Sequence, residues 1–162
     1  MLTINVASAM PSVVVSNVDN AAPVGEAMFT YYFWDVYQAT LYAPQGDWPA
    51  TPYALALTYQ RDFEGKAIAE KSIEEMRKQG LSDEQKARRW LELMASLFPD
   101  VGEDETLVGV VTPEQHTRFY KGDELLGEVE DKEFTERFFA IWLSEKTSEP
   151  DFRNQLLNLN KE

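Results

Sequence analysis

Cysteine is absent from these 162 residues, and histidine occurs once, as His116. Without thiols there is no disulfide, no thiolate nucleophile and no thiolate metal site. A single histidine excludes a histidine-rich metal centre and leaves a Ser–His–Asp site without support, so His116 reads as structural or exposed. No metal and no cofactor is expected. Positive charge is scarce as well: 15 Lys and Arg stand against 28 Asp and Glu, a net charge of −13. Such a chain lacks the cations that neutralise phosphates, which excludes a nucleic-acid partner. It is equally ill-suited to anionic membrane surfaces. No apolar run approaches the ~18–20 residues of a membrane span, so no transmembrane segment is expected. The P-loop, G-x-G-x-x-G, G-x-S-x-G and H-E-x-x-H motifs are all missing. Carboxylate pairs such as Glu74-Glu75 carry little information in so acidic a chain and read as plain surface.

What the chain has in excess is aromatic area in one place. In YYFWDVYQATLY, residues 31–42, six of twelve side chains are rings: Tyr31, Tyr32, Phe33, Trp34, Tyr37 and Tyr42. Strand alternation would put Phe29, Tyr31 and Phe33 on one face and Thr30, Tyr32 and Trp34 on the other. Either face alone could supply a core. A buried tyrosine hydroxyl, however, needs a partner or costs roughly 1–3 kcal/mol, so clustered tyrosines point to a cavity edge holding water or ligand polar atoms. The alternative is hydroxyls that simply reach the rim. Residues 1–60 contain no Lys or Arg; Arg61 is the first cation, directly after the aromatic strands. A guanidinium there can grip a carboxylate bidentately. Alternatively, Asp62 caps the following helix and Arg61 pairs with a surface acid.

The elements read as follows. Ser12–Val18, rich in valine, predicts a first strand. Gly25–Trp34 and Val36–Ala43 predict two long strands with a bend at Asp35, and Tyr53–Tyr59 another. Helical spacing begins at Glu64 and stops at Gly80; a capping box Ser82–Gln85 opens a second helix that Pro99 ends. Thr106–Thr112, Gln115–Tyr120 and Glu124–Val129 predict strands, the last two joined by a hairpin. Asp131 caps a third helix and Ser148-Glu-Pro-Asp opens a fourth. The order implies an α+β domain with helices stacked on a mainly antiparallel sheet. At the start, Ala7-Ser8-Ala9 after an apolar stub has the form of a trimmed export signal. Residues 1–22 are accordingly assigned to that remnant and the first strand, and 23–160 to a single domain. A periplasmic or secreted location is expected, with the cytoplasm as the alternative.

Five blocks, WDVYQATLYAP, YQRDFEGKAIAEKSIEEMRKQG, LFPDVGEDETL, TRFYKGDELLGEVEDKEF and FFAIWLSEKTSEPDFRNQLL, resemble the bacterial chalcone isomerase-like domain family from about Val24 to Leu157. The resemblance implies an open-faced β-sandwich, a large sheet with helices on one face and a ligand cleft between them. The superfamily includes plant enzymes that close chalcones to flavanones, and non-catalytic fatty-acid-binding relatives. The plant-type mechanism uses an early-strand arginine with tyrosine, threonine and asparagine partners. Here Val24–Tyr32 offers no Arg or Lys, Tyr37 stands where the threonine falls, and Phe63–Glu70 contains neither tyrosine nor asparagine. The catalytic set is not carried over, and catalytic residues are unknown; Arg61 or Arg118 reaching the cleft from elsewhere is the one substitute.

The leading expectation is thus a non-catalytic protein that binds a small hydrophobic or amphipathic molecule, a fatty acid or an aromatic acid. Tyr31, Tyr37, Tyr42, Tyr59 and Phe63 would line the apolar part, with Arg61 as a partly desolvated carboxylate anchor. One alternative is an intramolecular lyase or isomerase acting on a chalcone-like enone. Another is an accessory protein whose vestigial cleft is filled by side chains. The sequence does not indicate an oligomeric state.

Overall fold

The computed structural model describes residues 9–159. Six strands follow one another across one antiparallel sheet in chain order: β1 (Ala21–Tyr31), β2 (Trp34–Pro44), β3 (Tyr53–Tyr59), β4 (Thr106–Val111), β5 (Thr117–Lys121) and β6 (Glu124–Val129). Helices α2 (Gly65–Lys78) and α3 (Glu84–Leu97) are inserted between β3 and β4, and α4 (Lys132–Leu143) and α5 (Pro150–Leu156) follow β6. These four bury one face of the sheet. Their core joins Leu41, Leu57 and Phe119 of the strands to Met76, Trp90, Met94, Phe134 and Phe138 of the helices. This is the α+β architecture that the pattern predicts.

The first element differs. Ser12–Asn17 is a helix, α1, not a strand, and it lies on the opposite face of the sheet. Val13, Val14 and Val18 are buried there against Tyr42, Ala54, Ala56, Val108 and Val110. Valine's strand propensity is a weak preference, and burial of a small apolar face overrides it. Asn17 fastens the helix: its Nδ2 donates to the Tyr120 hydroxyl at 3.1 Å and its Oδ1 accepts from Arg118 Nη1 at 3.0 Å. The export-signal reading rests almost wholly on residues 1–8, which lie outside the described residues.

Two local details also depart from expectation. Asp83, not Ser82, caps α3, accepting from the Lys86 backbone N–H at 3.1 Å. Asp62 does not cap α2; the Gly65 N–H donates instead to Asp100 Oδ1 at 2.9 Å, and Asp62 accepts from the Glu103 N–H. The Asp131 cap on α4 is as read, accepting from the Phe134 N–H at 3.1 Å, and its second oxygen accepts from Trp90 Nε1. Gly65 itself permits a close approach. A Cβ there would fall 2.0 Å from the Phe98 carbonyl oxygen, so only glycine lets the start of α2 settle against the end of α3.

Candidate functional site

The antiparallel register aligns three rings on the helix-covered face. Phe29 pairs with Tyr37 across β1–β2, and Tyr37 with Tyr59 across β2–β3. Cross-strand partners share a face and touch. The Phe29 and Tyr37 rings stack at 5.2 Å and 17°, and the Tyr37 and Tyr59 rings meet edge-on at 5.6 Å. Phe63 extends the row, 5.5 Å from Tyr59, and Phe152 of α5 stands edge-on over Phe29 and Tyr37. Above this floor the helices do not close down. A cavity of about 730 Å³ remains between β1–β3, one face of α2, the end of α4 and the start of α5. That size falls within the range of small-molecule sites, about 300–1,000 Å³. It is not the filled hollow that a vestigial cleft predicts. A void of about 40 Å³ lies deeper and shares Tyr59, Ile68, Ser72 and Trp142 with the main cavity.

Five of the six expected residues border this space: Tyr31, Tyr37, Tyr59, Arg61 and Phe63. Tyr42 does not. It is buried on the other face, in the cluster beneath α1, because residue 42 is odd-numbered steps from Tyr37 along β2 and points away. Arg118 is likewise absent from the cavity; its Nε donates to Glu128 at 2.5 Å and its Nη1 to Asn17. The expected face for Trp34 is wrong for a related reason. Tyr31 pairs directly with Trp34, leaving Tyr32 and Phe33 as a two-residue turn, so the chain reverses before Asp35 and both paired rings face the cavity.

The two buried tyrosines have different polar surroundings. The Tyr37 hydroxyl accepts from Trp142 Nε1 at 2.9 Å. The Tyr59 hydroxyl has no protein partner among the described residues, although the side chain is only 4% exposed. No sealed polar side-chain atom in the described residues lacks a partner, so this hydroxyl opens onto the cavity. Burial pushes both phenols far above their usual range, and neither ionises near neutrality.

Arg61 sits at the mouth, its guanidinium 3.7 Å from the centre of the Trp34 ring. It is exposed rather than partly desolvated. Among the described residues it forms no salt bridge, whereas the other cavity cations, Lys71 and Lys78, both pair with Glu74 and Glu75. A ring face attracts a cation without neutralising it. The guanidinium donors are therefore held in position yet uncommitted to any carboxylate.

The sequence reading missed the polar half of the wall. Glu75, read there as surface, is only 8% exposed. It accepts from Ser148 Oγ at 2.7 Å and from Lys78 Nζ at 3.2 Å, linking α2 to the loop before α5. Burial raises its carboxyl, but the hydrogen bonds from Ser148, Lys78 and Lys71 outweigh that and hold it below the usual glutamate range. A sequence clue existed: Ser72 and Glu75 fall on the buried arc of α2, between Ala69, Ile73 and Met76. Among the described residues no asparagine borders the cavity, and the one threonine that does, Thr147, comes from the α4–α5 loop rather than a strand. Elsewhere, His116, Glu128 and Glu130 converge within 4.8 Å, but Arg118 already supplies Glu128 with a countercharge.

The family model described as chalcone isomerase-like matches residues 24–158. No curated protein matches the chain. Among solved structures, the chain is similar to the crystal structure of a fatty-acid binding protein from Arabidopsis thaliana. The TM-score is 0.64 at 14% identity, over 87% of this chain and 88% of that one. At that identity the likeness shows a shared fold.

Proposed function

The chain belongs to the chalcone isomerase-like family, and on that premise we propose that it binds a small amphipathic acid between sheet and helices without converting it. One observation carries this reading: a ring-walled cavity of about 730 Å³ whose mouth bears a cation with no carboxylate partner among the described residues. The apolar floor suits an acyl chain or aromatic body, Arg61 a carboxylate, and the open Tyr59 hydroxyl a second polar contact. The fatty-acid binding described for the Arabidopsis protein supports the acyl class. A bacterial source and a periplasmic or secreted setting belong to the same proposal, and they rest on the sequence alone.

Native mass spectrometry on protein purified without detergent tests it. The expected result is a mass increment that extraction identifies as one defined lipid or aromatic acid, diminished in Arg61→Ala. Protein that is ligand-free and whose melting is unmoved by fatty acids or flavonoids would count against the reading. Incubation with a chalcone should show no loss of substrate above buffer. A rate that Arg61→Ala abolishes would replace the binding role with an intramolecular lyase.

A further inference from the structure

The β1–β2 hairpin ends in four consecutive rings, and they are bare. Tyr31 is 60% exposed, Tyr32 80%, Phe33 98% and Trp34 55%. A two-residue hairpin turn favours glycine or asparagine where φ is positive, yet Tyr32 occupies such a position at φ 56°. An exposed ring thus stands where the backbone conformation disfavours it. The tip is also continuous with the cavity, since Tyr31 and Trp34 belong to its rim while Tyr32 and Phe33 project beyond it.

We propose that this tip is a lipid-docking element, inserting Tyr32 and Phe33 into the interface of a zwitterionic bilayer and bringing the cavity mouth to the membrane surface. The chemistry selects that partner. Tyrosine and tryptophan, apolar with one polar edge, are the residues of membrane–water interfaces. None of the four tip residues is charged, and the net charge of −13 repels anionic headgroups. A second copy of the chain fits less well. At roughly 150–250 Å² per ring side chain, reduced by the fractional exposure of each ring, the tip offers about 600 Å², below the ~800 Å² each partner gives a standard interface. The inference deepens the proposed binding role by giving its ligand an entry route from lipid.

Flotation of ligand-free protein with phosphatidylcholine vesicles tests docking separately from ligand binding. Wild type should float, and less so when phosphatidylserine is added. A Tyr32→Asn/Phe33→Ser variant should partition roughly tenfold less, the effect of withdrawing a large apolar side chain from an apolar medium. Asparagine tolerates the positive φ, so the variant should melt no lower than wild type. Tyr32 touches the rim residue Tyr31 edge-on at 4.6 Å, so the control for ligand binding is Phe33→Ser alone, which leaves that contact and should keep the affinity for a fluorescent fatty acid in solution unchanged. Wild type that stays in the buffer at millimolar lipid overturns docking, as does a variant that floats equally well. A tip-mediated dimer dissolved by Phe33→Ser also overturns it, by assigning the rings to a second copy. Docking without fatty-acid uptake would instead retain this inference and remove the binding role.

Discussion

At the scale of the residue, the site depends on what each tyrosine hydroxyl meets. Tyr37→Phe would leave the buried Trp142 N–H without its acceptor, and should lower unfolding free energy by about 1–3 kcal/mol in urea titrations. Tyr59→Phe removes a hydroxyl with no protein partner among the described residues. Its stability should stay within about 0.5 kcal/mol of wild type, while affinity for a carboxylate ligand falls. A Tyr59→Phe protein as destabilised as Tyr37→Phe would mean that the hydroxyl serves the fold. The sequence made it possible to anticipate rings beside a cavity, because tyrosines crowded into one strand pair need somewhere to put their hydroxyls. It did not separate these two residues, since the Trp142 partner is more than a hundred positions away in the chain. Tyr42 was misplaced because the true reversal at Tyr32–Phe33 and the cover given by α1 were both unread.

At the scale of the element, α2 supplies one wall of the cavity. Gly65→Ala would drive its first turn away from the Phe98 carbonyl, with an expected cost of about 1–3 kcal/mol by overpacking and weaker ligand binding. Thermal melts and ligand titration of the same variant check both. Farther along the helix, Glu75 fastens α2 to the loop before α5. Its folded pKa is depressed, so its stabilisation is present above the ordinary glutamate value of about 4.3 and disappears as pH falls through the lower folded value. Wild type should therefore lose more stability between about pH 5 and pH 3 than Glu75→Gln does. Parallel acid profiles would count against this linkage. Helices α2–α5 were legible because their apolar spacing agrees with the punctuation at their ends: Gly80 after α2, Pro99 after α3, Asp131 before α4 and Pro150 at the start of α5. α1 was not, because six residues are too few for periodicity to outweigh a run of valines.

At the scale of the molecule, the charge pattern and the cavity bear on the same question. A carboxylate approaching this acidic chain is repelled at long range, and the repulsion is screened beyond about 8–10 Å in physiological salt. Attraction at contact must come from the mouth, where Arg61 lies against Trp34 with no carboxylate partner among the described residues. Because Arg61 is exposed, the gain is modest, about 1 kcal/mol or roughly fivefold in affinity. Most of the binding energy must instead come from the ring-walled floor. The measurement that tests this account most directly is calorimetric titration of dodecanoate and dodecanol, which share one tail, into wild type and Arg61→Ala. Both should bind wild type, dodecanoate several times more tightly, and the substitution should bring the acid to the level of the alcohol. Failure of either molecule to bind, or a preference for the acid that survives loss of Arg61, would contradict it.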